Sequence, residues 1–98
     1  MKSLTPAQRQ HLKGLAHSRQ PVVMIGGQGL TAAVLKEIEH ALAAHELIKI
    51  KAASGEADTR RAWMEEICTA TGAAPVQQIG KMLVVYRPAK KPTIVLPA

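Results

Sequence analysis

Gly26-Gly27-Gln28-Gly29 is the stretch of this chain best suited to chemistry. It follows the apolar run Pro21-Val22-Val23-Met24-Ile25 and precedes Leu30-Thr31, where a helix signal begins. A strand, a glycine loop and a helix start, in that order, make a backbone cradle for phosphate. Glycine turns tightly and, having no Cβ, lets another backbone come close. The helix start adds unpaired N–H groups and the positive end of its dipole. Cations accompany the loop: Arg9, Lys13 and His17 share one face of a first helix, Lys49 and Lys51 one face of a strand, and Lys81 and Arg87 flank the last strand. With 13 Lys and Arg against 7 Asp and Glu, the net charge is +6 and the pI near 9.9. That balance calls for a polyanion, whether nucleic acid, anionic membrane or an acidic protein.

Three ligand readings of the loop differ in what else they need. A nucleotide-hydrolysing loop requires G-x-x-x-x-G-K-[ST]. Here Gly29 is followed by Leu30-Thr31, and the only Gly-Lys, Gly80-Lys81, is followed by Met82, which excludes it. Gly27-Gln28-Gly29-Leu30-Thr31-Ala32 fits the dinucleotide fingerprint. The next strand, however, ends in Lys51-Ala52-Ala53 where an acidic ribose ligand belongs, and the chain is short for two sites. The third reading is a G-x-x-G clamp on nucleic-acid backbone, with Gly26 and Gly29 outermost. KH domains use such a loop, although between two helices. The amides from Gly27 to Thr31 would meet phosphate, and a bulkier residue at Gly29 should weaken binding with the melt nearly unchanged. The same glycines also suit a tight turn that binds nothing.

Other residues narrow the choice. With no Phe, one Trp and one Tyr, the chain offers no stacking platform, so contacts fall on phosphate and sugar. Trp63 sits in a core-like pattern and Tyr86 at a strand end. Arg60 and Arg61 open the third helix, where the dipole disfavours cations. His11, His17, His40 and His45 show no ligand spacing with Cys68, so no metal is expected. Glu37, Glu39, Glu65 and Glu66 read as solvated helix charges. Cys68, the lone cysteine, reads as a small buried side chain. No catalytic residues, cofactor or small-molecule substrate are expected.

The elements that must position these groups follow from periodicity and punctuation. A first helix runs from Thr5 to His17, with Thr5, Pro6 and Gln8 forming a capping box. Val22 to Ile25 is a strand. Ala32 to His45 is a helix capped by Thr31 and stapled by Leu30 and Leu35. Leu47 to Ala52 alternates, with Ile48 and Ile50 on a dry face and Lys49 and Lys51 on a basic one. Ser54 to Asp58 is a polar loop, and a third helix runs from Thr59 or Arg60 to Thr71, stopping at Gly72. Pro75–Ile79 and Met82–Tyr86 form a hairpin whose Gly80-Lys81 turn suits type II′. The order α-β-α-β-α-β-β predicts an α/β fold over residues 1–98: a single compact domain with a four-stranded mixed sheet and three helices. Three strands run parallel and the last antiparallel. The ordered core spans about residues 3–88 and the tail 89–98, with Thr93 to Leu96 docking as an edge segment. No apolar run reaches the roughly 20 residues needed to cross a membrane, and the N-terminus lacks a signal peptide's apolar stretch. A cytoplasmic protein with no membrane partner is expected.

Read in order, Leu12-Lys13-Gly14-Leu15-Ala16-His17, Pro21-Val22-Val23, Gly26-Gly27-Gln28-Gly29-Leu30-Thr31, His45-Glu46-Leu47-Ile48-Lys49-Ile50-Lys51, Ile79-Gly80-Lys81 and Val85-Tyr86-Arg87-Pro88 resemble the CRM domain family. The family is named for chloroplast RNA splicing and ribosome maturation, and the likeness is greatest to its stand-alone, YhbY-like bacterial members. The resemblance covers nearly the whole chain. It implies a fold like the C-terminal domain of bacterial translation initiation factor three, and RNA as the ligand. For the stand-alone form it implies association with precursors of the large ribosomal subunit, and Gly26 to Gly29 becomes the RNA-contacting loop. The expectation is therefore an RNA-binding protein that contacts rRNA backbone and assists large-subunit assembly. Its interface would comprise Gly26, Gly27, Gln28, Gly29, Leu30 and Thr31 with Lys13, Lys49 and Lys51, then Arg9, His17, Lys81 and Arg87. DNA is not expected. The alternative is an interaction module that docks on an acidic partner without touching RNA.

Overall fold

Thr5 starts the first helix through a reciprocal capping box. Its Oγ1 accepts from Gln8 N at 3.1 Å, and Gln8 Oε1 accepts from Thr5 N at 3.1 Å, producing α1 (Pro6–His17). Thr31 Oγ1 accepts from Val34 N at 3.2 Å and opens α2 (Ala32–His45). The third helix, α3 (Ala57–Thr71), begins earlier than the Thr59 or Arg60 expected from sequence. Glu56 takes the N-cap position without a side-chain bond, and Asp58 occupies the first turn, where the dipole favours an acid. Gly72, at φ +75°, ends it. The computed structural model describes residues 3–53 and 55–98, so Ser54 of the expected polar loop lies outside the described residues.

Four strands complete the chain: β1 (Val23–Ile25), β2 (Leu47–Ala52), β3 (Ala74–Ile79) and β4 (Met82–Tyr86). They form one sheet in the order β1-β2-β4-β3. β1 and β2 are parallel, and β4 runs antiparallel to both β2 and β3. Three strands therefore share one direction and the last opposes them, as the element order predicts. The hairpin closes at Gly80, with φ +54°, while Lys81 keeps a negative φ, as a type II′ turn requires. The outer strand β3 carries Pro75 and a bulge between Pro75 and Gln77, features that blunt an edge against further pairing.

Alternation along the strands splits the core into two layers. Val23, Ile25, Ile48, Ile50, Leu83 and Val85 pack under α2 and α3 with Ile38, Leu42, Met64 and Ile67. Leu47, Ala74, Val76, Val84 and Tyr86 pack under α1 with Leu12 and Ala16. Tyr86, read from sequence as a strand-end ring, is 2% exposed because β4 is a central strand covered on both faces. The basic face of β2 is likewise dry at one end, where Leu47 lies beneath α1. The tail docks through Ile94 and Leu96 on the α1 layer, but Thr93 to Leu96 forms no strand.

Candidate nucleic-acid interface

Because β1 and β2 are parallel neighbours, the loops leaving their C-terminal ends lie side by side, each entering a helix. Ligands of α/β sheets favour this place, where helix N-termini converge. The hairpin turn is drawn to the same end: Ala52 N donates to Lys81 O at 2.7 Å, and Ala53 N to Ile25 O at 2.9 Å. Three chain reversals thus meet at one end of the sheet.

The glycine loop is a closed turn. Gly29 N donates to Gly26 O at 3.0 Å and Thr31 N to Gly29 O at 3.1 Å. These two amides, expected to meet phosphate, are spent inside the turn. The exposed amides of Gly27 and Gln28, without an intramolecular partner among the described residues, remain to face a ligand. The glycines are not equivalent. A Cβ on Gly26 or Gly27 would meet nothing within 4 Å, so the outer surface is open to another molecule. Gly29 adopts φ +76°, and a Cβ there would lie 3.4 Å from Trp63 Cζ2. The expectation that Gly29 tolerates a bulkier residue without loss of stability is corrected by that backbone angle.

Trp63 is the residue that sequence reading undervalued. Its half-buried indole backs two loops at once: a Cβ on Gly55, at φ +88°, would lie 3.1 Å from Cη2. Arg60 Nη1 donates to Gly55 O, tying the start of α3 to the second loop. Arg60 thus stands at the end of the first turn of α3, where the dipole disfavours a cation, and holds a loop carbonyl. Arg61 makes only a solvent-exposed pair with Asp58 at 3.8 Å, which contributes little. The signal available beforehand was Gly55 and the arginines near a tryptophan, none of which reveals that the two loops are neighbours.

The remaining predicted residues separate by position. Gly26 to Thr31, Lys51 and Lys81 come together at the loop end. Lys49 projects from the same sheet face as Lys51, on the α1 side, and half-buried Lys13 lies on α1 itself. Arg9 lies toward the outer strand, lining a depression with Met64, Pro75, Val76, Gln77 and Gln78. His17 ends α1 near Arg19, whose Nη1 donates to Leu47 O at 2.7 Å, at the start of β2. Arg87 follows β4 at that far end, roughly 15–20 Å from the loop by strand length. Its guanidinium is bound to Glu39 Oε1 at 2.7 Å and Thr71 O at 2.9 Å. The structure does not bring His17 or Arg87 to the loop.

Charge is segregated by layer. All seven acidic residues (Glu37, Glu39, Glu46, Glu56, Asp58, Glu65 and Glu66) lie on α2, α3 or their caps. Among the described residues, α1 and the four strands carry none, while Arg9, Lys13, Lys49 and Lys51 stand on them. The α1 side of the sheet is thus a cationic surface continuous with the loop end. Cys68 is half-buried, and burial pushes its thiol up to about 11, which keeps it protonated and unreactive. Among the described residues no cluster of His, Cys, Asp and Glu could hold a metal ion, and no helix is long and apolar enough to cross a membrane.

Comparison with known proteins adds independent findings. The family description for the CRS1/YhbY (CRM) domain matches residues 4–87. A Haemophilus influenzae protein named RNA-binding protein is 52% identical over 97 residues, covering 99% of this chain and 98% of its own. A Pseudomonas aeruginosa protein bearing the name "Probable RNA-binding protein" is 46% identical over 90 residues, covering 92% and 86%. The solution structure of hypothetical protein SAV1595 from Staphylococcus aureus superposes with a TM-score of 0.85 at 36% identity, covering 96% of this chain and 99% of that one.

Proposed function

This chain belongs to the CRS1/YhbY (CRM) domain family, and on that premise we propose that it binds RNA through the glycine loop and the cationic sheet face beside it. The observation that carries the reading is the meeting of an open G-x-x-G turn with a sheet face and a helix, α1, whose described residues include no acid. RNA backbone passing over Gly26 and Gly27 meets no side chain. The Gly27 and Gln28 amides and the start of α2 face its phosphates, and Lys51, Lys81, Lys49 and Lys13 add charge along its path. The names of the relatives from Haemophilus influenzae and Pseudomonas aeruginosa support RNA as the ligand.

The finer reading is that the RNA is rRNA in precursors of the large ribosomal subunit, bound in the cytoplasm to assist assembly without catalysis. It is supported by the likeness to the stand-alone bacterial members of the family. In-cell crosslinking followed by sequencing of the attached RNA tests it, with enrichment of large-subunit rRNA expected. Direct RNA binding is tested by titration across salt. If about six phosphates are neutralised, log affinity falls against log salt with a slope of about −4 to −5. Affinity independent of salt, or a protein partner that survives ribonuclease in a pulldown, would favour docking on an acidic protein instead.

A further inference from the structure

We propose that the open half of the sheet beside α1 takes the bases of single-stranded RNA, while the adjoining loop holds the backbone; this rests on the RNA-binding reading above. The ladder registers align Met24 with Lys51, Lys51 with Met82, and Met82 with Ile79, making one row across all four strands. All four point to the α1 side, since their neighbours Val23, Ile25, Ile50 and Leu83 point into the α2–α3 core. α1 covers the other half of this face, over Leu47, Val84 and Tyr86, and leaves the row open, with Lys51 and Met82 half-buried between exposed Met24 and Ile79. Met24 is 56% exposed and Ile79 60%, and Val22, immediately before β1 and two residues from Met24, is 50%. Apolar side chains of this size, collected on one face, mark a binding surface.

The occupant follows from what lies between and beside them. Lys51 interrupts the row and Lys49 stands one step behind it, and the four strands carry no acid. An apolar protein surface would leave those ammonium groups unpaired, whereas a nucleic-acid strand brings a phosphate with every base. Gly26 follows Met24 by two residues at one end of the row, and Gly80-Lys81 joins Ile79 to Met82 at the other, so backbone and base contacts are contiguous. A methionine thioether is a polarisable partner for an aromatic ring, and Ile79 adds apolar surface for a base to cover. The bases thus supply the rings that this chain lacks. Four strands at about 4.8 Å spacing give a row about 15 Å across, and sheets of this size take two or three bases in aromatic readers.

The test compares an eight-nucleotide single-stranded RNA with an abasic strand of equal length and phosphate count. The wild-type protein should prefer the base-bearing strand by about tenfold, the scale of burying some tens of Å² of apolar surface. Met24→Ser with Ile79→Ser should erase the preference and leave the salt slope unchanged, because no cation is lost. Met24→Leu with Ile79→Val, which keeps the row apolar, should retain it. Equal wild-type affinity for both strands, or a preference surviving the double serine variant, overturns the proposal and leaves the face to a protein partner. Failure of the wild type to bind either strand while it still binds rRNA in the salt titration overturns this inference alone, and failure on rRNA as well overturns the RNA-binding reading with it.

Discussion

Glycine at positions 14, 27 and 29 does three different jobs, and each can be separated by one substitution. Gly14 lies exposed within α1, and a Cβ there meets nothing within 4 Å. The close packing that would justify a mid-helix glycine is absent. Gly14→Ala should therefore stabilise the fold by about 0.5–1 kcal/mol, read as a melting temperature raised by a few degrees. Gly29 holds φ +76° above Trp63, so Gly29→Ala should cost about 1–2 kcal/mol in a melt. Gly27 has an ordinary φ and open space. Gly27→Asp should leave the melt unchanged and weaken RNA binding about tenfold in a titration, through repulsion at the phosphate path. Unchanged affinity would remove the loop from the interface. The three glycines look alike in the sequence, because φ and the neighbour across space are not written there.

At the scale of elements, the joints decide more than the helices and strands themselves. Capping, staple and alternation made α1, α2 and β2 legible, since those signals are local. The joint between α2 and β2 was not. Glu46 sits there at φ +65°, 2% exposed, and closes the helix by donating its N–H to Leu42 O at 2.9 Å. Its carboxylate accepts from Ala89 N at 3.0 Å, Thr93 N at 2.8 Å, Ile94 N at 3.1 Å and the Thr93 hydroxyl. One side chain thus clasps the tail to the body. Burial alone would raise the Glu46 pKa. The Thr93 hydroxyl and the three amides outweigh it and bring it down to about 2. Because folding lowers this pKa, the clasp is at full strength above about pH 4.5 and weakens as pH falls toward about 2. The protection factors of Thr93 and Ile94, measured against the intrinsic exchange rate at each pH, should fall over that window, and Glu46→Gln should lower them already at neutral pH. Protection unchanged on acidification would count against the clasp.

Across the whole molecule, the two layers carry opposite charge, and the cationic one is continuous with the glycine loop. Lys49→Gln with Lys51→Gln should reduce the salt slope of RNA binding by about 1.4–1.8, close to one phosphate per lysine. Lys36→Gln, on the acidic layer, should leave it unchanged; equal effects would mean that binding follows net charge and has no face. The overall composition pointed to a polyanion, and the element order to a mixed sheet under three helices, because both depend on local pattern and total charge. What remained hidden were relations between residues distant in the chain. Trp63 meets Gly29 and Gly55 only because parallel pairing sets two loops side by side. Arg87, basic and next to a strand like Lys81, is removed to the far end and neutralised by Glu39, because β4 runs against β2. Met24 and Ile79 are apolar strand residues like their buried neighbours, and only the limited reach of α1 leaves them exposed. The sequence by itself determined the elements, their order and the sign of the ligand, for these need nothing beyond neighbouring residues. The tertiary structure alone decided which cations share a face with the loop and which apolar residues stay outside the core, because strand order and helix coverage are properties of the packed whole.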